Sequence, residues 1–413
     1  HPRRLAEGSL NLASAPVAAL LAGPLIDRVG RRWGLQLLNV LLAVGWLLMA
    51  IFPLSLNALY IGRLLTGYGL GMAMCTAATY TTEIASISFR TILVTFTPIM
   101  MAIGTFLAYL GALLYQESWT EVAYASFGFT VVSLVLTLLL PESPLWLLSR
   151  GRIEEAQRAL MSLRAATAPE QVQEELDSYS SRAKDRQNSS WLSSFRELRL
   201  PQAYKPLIII NVYFVFVLTC GVPLVIVYAV SFSQSAHLEA QAYHISLALS
   251  ATRMLATFLT TWACNRYGRR GPALISGGMT VVTMGVLALT VSPLLTLSSP
   301  LVGALMIAYM LSSCVGFSSL PWSILGELFP TKVRGIASGI TTALTFVESG
   351  LLIKLYPELL HSLGAFPIFA FFAVSSLVGT VFLYYFLPET HGKTLLEIEE
   401  YFKGALKTSP GSR

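Results

Sequence analysis

Asp27-Arg28-Val29-Gly30-Arg31-Arg32 is a dense basic knot between two long apolar runs. It returns 238 positions later as Asn265-Arg266-Tyr267-Gly268-Arg269-Arg270. Two further signatures follow each copy in the same order. Glu83, with Arg90 seven positions on, is matched by Glu327 with Arg334 at an offset of 244. Pro141-Glu142-Ser143 is matched by Pro388-Glu389-Thr390 at an offset of 247. Three signatures in one order at nearly one offset read as an internal duplication.

The composition places that duplication in a membrane. Of the 413 residues, 54% are hydrophobic and 12% charged, and the mean hydropathy is +0.63. A soluble domain carries about twice that charged fraction. Apolar runs of membrane-crossing length recur along the chain. They do not alternate, which excludes porin-type strands. The net charge of +6 comes from basic residues beside the apolar runs, so it reads as orientation and contact with the lipid bilayer, not as nucleic-acid binding. Cys75, Cys220, Cys264 and Cys314 lack metal spacing and read as small packing residues.

Spans are expected at roughly 9–26, 34–52, 56–84, 91–115 and 119–140, and again at roughly 207–232, 243–264, 272–291, 299–326, 336–356 and 364–387. That is five spans, then six. Only 26 residues precede Asp27, whereas about sixty separate the start of the sixth span from the second basic knot. The difference is the length of one helix and its connection, so the expectation is a first helix missing before His1; a true eleven-span protein is the other reading. Nearly all Lys and Arg lie in the loops at 27–32, 85–90, 141–206, 265–271 and 327–335 and in the tail, which makes those segments cytoplasmic by the positive-inside rule. The domains follow: 1–140 an N-terminal bundle, 141–206 a cytoplasmic helical linker, 207–387 a C-terminal six-helix bundle, 388–413 a cytoplasmic tail. In the linker, Ile153, Ala156, Leu160 and Leu163 share one helical face, and Pro169 opens a second helix.

The basic knots could be mere topology anchors. Their internal glycines argue for more, because Gly30 and Gly268 permit a tight turn that brings neighbouring helices close. Arg31 and Arg32 can then reach carboxylates or helix C-terminal carbonyls on adjacent helices. Glu83 and Glu327 are the natural acidic partners, and Arg90 and Arg334 the further basic ones. Such a network would latch one conformation and break in another.

These motifs resemble the sugar porter family of the major facilitator superfamily, the group of facilitative glucose and trehalose transporters. The resemblance rests on the two basic knots, Gly62-Arg63 opening Leu64-Leu65-Thr66-Gly67, and Pro141-Glu142-Ser143-Pro144 leading to Leu147-Leu148. It continues through Pro321-Trp322, Glu327-Leu328-Phe329-Pro330 to Arg334-Gly335, and Pro388-Glu389-Thr390 with Gly392-Lys393-Thr394. It implies an all-α fold of two six-helix bundles around a central cavity, moving a hexose or trehalose by alternating access. The implied latch comprises Asp27, Arg28, Gly30, Arg31, Arg32, Arg63, Glu83, Arg90 and Glu142, and in the second half Arg266, Gly268, Arg269, Arg270, Glu327, Arg334 and Glu389.

The chain departs from the family at its sugar contacts. Where two glutamines and an asparagine are usual, Val217, Leu218 and Pro223 stand; Tyr228 is retained. Pro98, beside Thr97, replaces a glutamine, and Arg253 replaces an asparagine. Trp322 is kept after Ser318 and Ser319, and Thr345 and Ser349 replace asparagines. Fewer amides leave a sugar fewer partners, at about 1–3 kcal/mol for each unpaired hydroxyl. Arg253, a charge inside a span, marks a functional position by default. It either pairs with Glu348 as a structural lock or meets an anionic or polyhydroxylated cargo. The substrate-contacting set is therefore Thr97, Tyr109, Tyr228, Arg253, Trp322, Thr345 and Ser349. No catalytic triad, metal cluster or phosphate loop is visible, so no enzyme, metal or cofactor is expected. Proton coupling stays open, because the acidic residue that often couples protons in the family would precede His1. The rival readings are a carrier of a non-sugar or anionic solute, and a non-transporting sensor or scaffold with the same fold.

Overall fold

The computed structural model describes residues 2–86, 90–115, 118–187, 196–228, 242–292, 297–330, 333–390 and 395–403. Side chains at 2–10, 90–95, 181–187, 242, 265, 299, 326–327, 395–396 and 398–399 are not included. All regular structure among the described residues is helical. The first half holds α1 (Pro2–Val29), α2 (Arg31–Ile51), α3 (Leu56–Ile84), α4 (Arg90–Leu114) and α5 (Trp119–Leu138), followed by the short α6 (Pro144–Ser149), α7 (Ile153–Arg164) and α8 (Glu170–Gln187). The second half holds α9 (Pro201–Thr219), α10 (Val222–Val227), α11 (Ala242–Tyr267), α12 (Arg270–Val291), α13 (Ser299–Cys314), α14 (Leu320–Leu328), α15 (Arg334–Leu363), α16 (Ala365–Phe386) and α17 (Leu395–Lys403).

Eight of these helices are long and apolar enough to cross a membrane: α1, α2, α4, α5, α9, α12, α15 and α16. Their outward faces stay apolar, with Phe129, Val282 and Ile275 each about two-thirds exposed. On a water-soluble surface such faces would aggregate; a hydrocarbon core covers them. Of the other three expected spans, two are helical but less apolar, and the third is apolar but broken into shorter pieces. α3 carries Arg63 and a run of threonines and glycines, α11 carries Arg253 on a serine and threonine stripe, and the third is broken into α13 and α14.

Two expected spans are thus interrupted. The run at 207–232 stops at Thr219, where Gly221 takes a φ of 97° and Pro223 starts the short α10. The run at 299–326 stops at Cys314. There Gly316 lies so close to the Pro272 carbonyl that a Cβ would stand 2.5 Å from it, and Ser318 N turns back to Ser313 O at 2.9 Å. Breaking a helix in a membrane orphans backbone carbonyls that must find partners inside the protein. Each break is served by a buried tyrosine from the other broken helix. Tyr309 on α13 donates to Cys220 O at 2.8 Å, and Tyr213 on α9 donates to Phe317 O at 2.8 Å. Hydropathy alone reads straight through both breaks, because the residues around them remain apolar.

The chain divides into two compact units. One comprises residues 1–97, 123–203 and 331–346, the other 98–122, 204–330 and 347–413. In the first unit α1, α2 and α3 pack on Ala18, Ala22, Leu35, Leu38, Met72 and Tyr80. Small residues allow that approach: a Cβ on Gly71 would run into the Ala15 carbonyl. The same unit holds the linker helices α6, α7 and α8 around Trp146, Leu147, Ala156, Leu160, Val172, Leu176 and Tyr179. Ile153, expected on that apolar face, is 60% exposed, because it opens α7 before the helix reaches its packing partner. In the second unit α12 packs against α13 and α16, and α11 against α13.

Candidate functional site

Both basic knots fold as a glycine turn clamped by a distant carboxylate. In the first unit Gly30 has a φ of 106° and precedes α2, so the helix begins without a capping side chain of its own. The Glu142 carboxylate supplies the cap from 111 positions away: Oε1 accepts from Arg31 N at 2.9 Å and from Arg32 N at 3.1 Å. A carboxylate at a helix N-terminus satisfies orphan N–H groups and meets the positive end of the helix dipole. Glycine is required at position 30 twice over, by the left-handed φ and because a Cβ would collide with Glu142 Oε2. In the second unit Gly268 has a φ of 78°, and Glu389 accepts from Arg269 N at 3.0 Å and from Arg270 N at 3.0 Å. A Cβ at Gly268 would stand 2.7 Å from Glu389 Oε2.

Around each clamp the described side chains make further contacts. Arg31 is fully buried. Its Nε and Nη2 form a fork on Glu83 at 2.8 and 2.9 Å, Nη2 also reaches Asp27 Oδ1 at 2.9 Å, and Nη1 donates to Ile26 O at 3.1 Å. Ser143 Oγ donates to the same Glu83 carboxylate at 2.5 Å. Arg32 Nη2 donates to Leu138 O at 2.6 Å. Behind this cluster Trp146 Nε1 and Arg150 Nη2 both donate to Asp27 O at 2.8 Å, and Arg164 Nη1 donates to Ile84 O at 3.1 Å, so the linker helices hold the ends of α1 and α3. The Glu175 carboxylate, forked on Arg164 at 2.8 and 3.0 Å, holds that guanidinium above its ordinary range. In the second unit Arg269 Nη1 reaches Ser323 Oγ at 3.3 Å, and Arg270 donates to Tyr384 O with its guanidinium 5.4 Å over that ring.

Other members of the expected latch lie apart. Arg63 is twenty residues before Glu83 on α3, about 30 Å along the helix axis. There the Asn11 amide donates to its carbonyl at 2.7 Å and accepts from its Nη1 at 3.3 Å. Arg28 and Arg266 are exposed, Arg266 lying 5.9 Å over the Tyr267 ring. Arg334 opens α15. The side chains of Arg90 and Glu327 fall outside the described residues.

Of the expected substrate contacts, the second unit brings Tyr109 and Arg253 into one cavity. α4 contributes Thr105 and Tyr109, α10 Val225 and Ile226, α11 Ser246, Leu249, Ser250 and Arg253, and α13 Met310. The free space admits about one water molecule. Arg253 Nη1 donates to Thr105 Oγ1 at 3.4 Å, and no ion pair joins it to Glu348 among the described residues. Tyr109 donates to Ile226 O. Tyr228 ends α10, donating to Ile353 O at 2.9 Å with its ring 5.1 Å from Tyr356. Trp322 packs edge-on against Phe214 at 4.8 Å. Thr345, in the first unit, is buried and spends its hydroxyl on Thr341 O at 2.8 Å. Thr97, in the first unit, and Ser349, in the second, are half-buried. Sequence reasoning missed Ser246 and Ser250. With Arg253 they fall at intervals of four and three on α11, a polar stripe continued by Thr257 and Thr260, and that spacing was the available signal.

A helical chain with membrane-length apolar helices and charged clamps at the helix ends is an integral membrane protein. The family described as sugar (and other) transporter matches residues 8–402, and the chain belongs to it. Among curated proteins it is similar to the facilitated trehalose transporters Tret1 of Drosophila virilis, 29% identical over 94% of this chain, and of Culex quinquefasciatus, 28% identical over 95% of it. The chain spans 43% of the length of the first and 76% of the second. Among solved structures it is similar to the proton:xylose symporter XylE bound to 6-bromo-6-deoxy-D-glucose (TM-score 0.79, 19% identity, 95% of this chain and 88% of that one). The partially occluded inward open form of XylE from E. coli follows at TM-score 0.77, 19% identity and 95% and 89% coverage. These likenesses carry the major facilitator fold.

Proposed function

We propose that the chain carries a sugar, a hexose or trehalose, across the plasma membrane by alternating access. Under this reading the 141–206 linker and the C-terminus are cytoplasmic, and the halves 1–140 and 207–387 act as the two bundles of the carrier. Membership of the sugar transporter family and similarity to the Tret1 transporters support the cargo class. The observation that carries the mechanism is the repeated clamp: Glu142 on the 30–32 turn and Glu389 on the 268–270 turn are the same device in both halves. Each ties a helix start to the end of another helix through charge-assisted hydrogen bonds, a latch that closes or opens with helix position.

The test is uptake of labelled D-glucose and trehalose into vesicles containing the purified chain. Saturable uptake of either supports the reading, and acceleration by an imposed proton gradient identifies proton coupling. No uptake of either would leave the fold to a carrier of a non-sugar or anionic solute, or to a sensor or scaffold.

A further inference from the structure

The cavity on α11 has an unbalanced chemistry. Among the described residues it holds one guanidinium, that of Arg253, and several hydroxyls, and no carboxylate lines it. The Arg253 side chain makes one hydrogen bond among the described residues, a long one to Thr105. The hydroxyl protons are already committed: Thr105 donates to Met101 O at 2.9 Å, Ser250 to Leu247 O at 2.8 Å, and Tyr109 to Ile226 O. What these hydroxyls offer a ligand is lone pairs, so they accept hydrogen bonds and repel surplus anionic oxygens. What Arg253 offers is a planar fork of N–H groups that matches the two oxygens of one carboxylate. Leu249 and Met310, both nearly fully buried, supply an apolar wall.

The cavity as it stands has room for about one water molecule, so a ligand can occupy it only in a conformation that widens it. We infer that Arg253 makes this, in that widened conformation, a site for a hydroxylated monocarboxylate, a sugar acid, in preference to the neutral sugar of the same size. The inference rests on the sugar-carrier reading and narrows its cargo. A carboxylate docked on Arg253 would neutralise a charge that is expensive within a span, while the ligand's own hydroxyls donate to Thr105, Tyr109 and Ser250. A phosphate would bring a second charge with no second cation to meet it. A neutral sugar would leave the guanidinium uncompensated.

The probe is D-glucuronate against D-glucose, which differ at one carbon, read as thermal stabilisation of the purified full chain across a concentration series. This measures binding without flux, so a failure of transport and a failure of this inference are distinguishable. Half-maximal stabilisation is expected at a roughly tenfold lower concentration of glucuronate than of glucose. Arg253→Gln should abolish that ratio, and Arg253→Lys, a point charge without the fork, should retain part of it. Should Arg253→Gln fail to fold, the wild-type ratio and its reduction in Arg253→Lys decide. Equal or stronger stabilisation by glucose, stabilisation by neither, or a glucuronate preference that survives Arg253→Gln or is undiminished in Arg253→Lys would overturn the assignment.

Discussion

The turn at Gly30 and the turn at Gly268 share one backbone device and differ in what surrounds it. Both place a left-handed glycine before a helix and cap that helix with a carboxylate more than a hundred residues away. Around the first, a fully buried arginine is held by Glu83 and Asp27, with Ser143 and the linker helices behind. Around the second, Asn265 stands where Asp27 does, and Arg269 reaches a serine hydroxyl. The duplication has preserved the clamp and replaced the Asp27 carboxylate by the Asn265 amide. The capping geometry is thus the mechanical element seen in both halves; the buried Arg31–Glu83–Asp27 network is seen in the first half, and the side chain of Glu327, the counterpart of Glu83, lies outside the described residues.

The sharpest way to break this comparison is to unpair the buried charge. Glu83→Gln should destabilise the protein by up to about 3–5 kcal/mol, because it removes the forked carboxylate from the buried Arg31 and leaves it the more exposed Asp27. Ser323→Ala, which removes the hydrogen bond from Arg269 in the second half, should cost about 0.5–1.5 kcal/mol, the worth of one ordinary hydrogen bond. Thermal unfolding in detergent reads both, and equal losses would mean that the Arg31–Glu83 fork contributes no more than one such bond.

A smaller effect tests what they share. Gly30→Ala and Gly268→Ala should each cost about 1–3 kcal/mol, since both force a side chain into left-handed backbone and against a capping carboxylate. The loss at Gly30 should be the larger, because there the added carbon comes closer to its glutamate. A neutral alanine at either position would show that the turn can re-form without the clamp.

Much of this was legible in the sequence, for identifiable reasons. Hydropathy marks where helices lie in a membrane protein, and the duplicated knots located both turns. The repeated Pro-Glu signature assigns Glu142 to the latch, but its role as a helix cap was not legible, because a cap supplied from 111 positions away leaves no local pattern. The breaks at 220–221 and 315–319 were hidden within continuous apolar runs, and their reciprocal tyrosines emerge only from packing. Arg253 stood out as a charge in a span, but its partner there is Thr105, whereas the chain offered Glu348 as the obvious counter-charge. Arg63 shared a motif with the latch and sits at the far end of the helix that carries Glu83.

Under the proposed function, the paired clamps govern the exchange of states in a sugar carrier. The direct measurement is equilibrium exchange of labelled D-glucose across vesicles, with binding measured in parallel, for wild type and for Glu142→Ala with Glu389→Ala. Removing caps worth about 1–2 kcal/mol each should slow exchange roughly tenfold or more, with binding changed far less. Exchange at the wild-type rate in the doubly altered protein would contradict it.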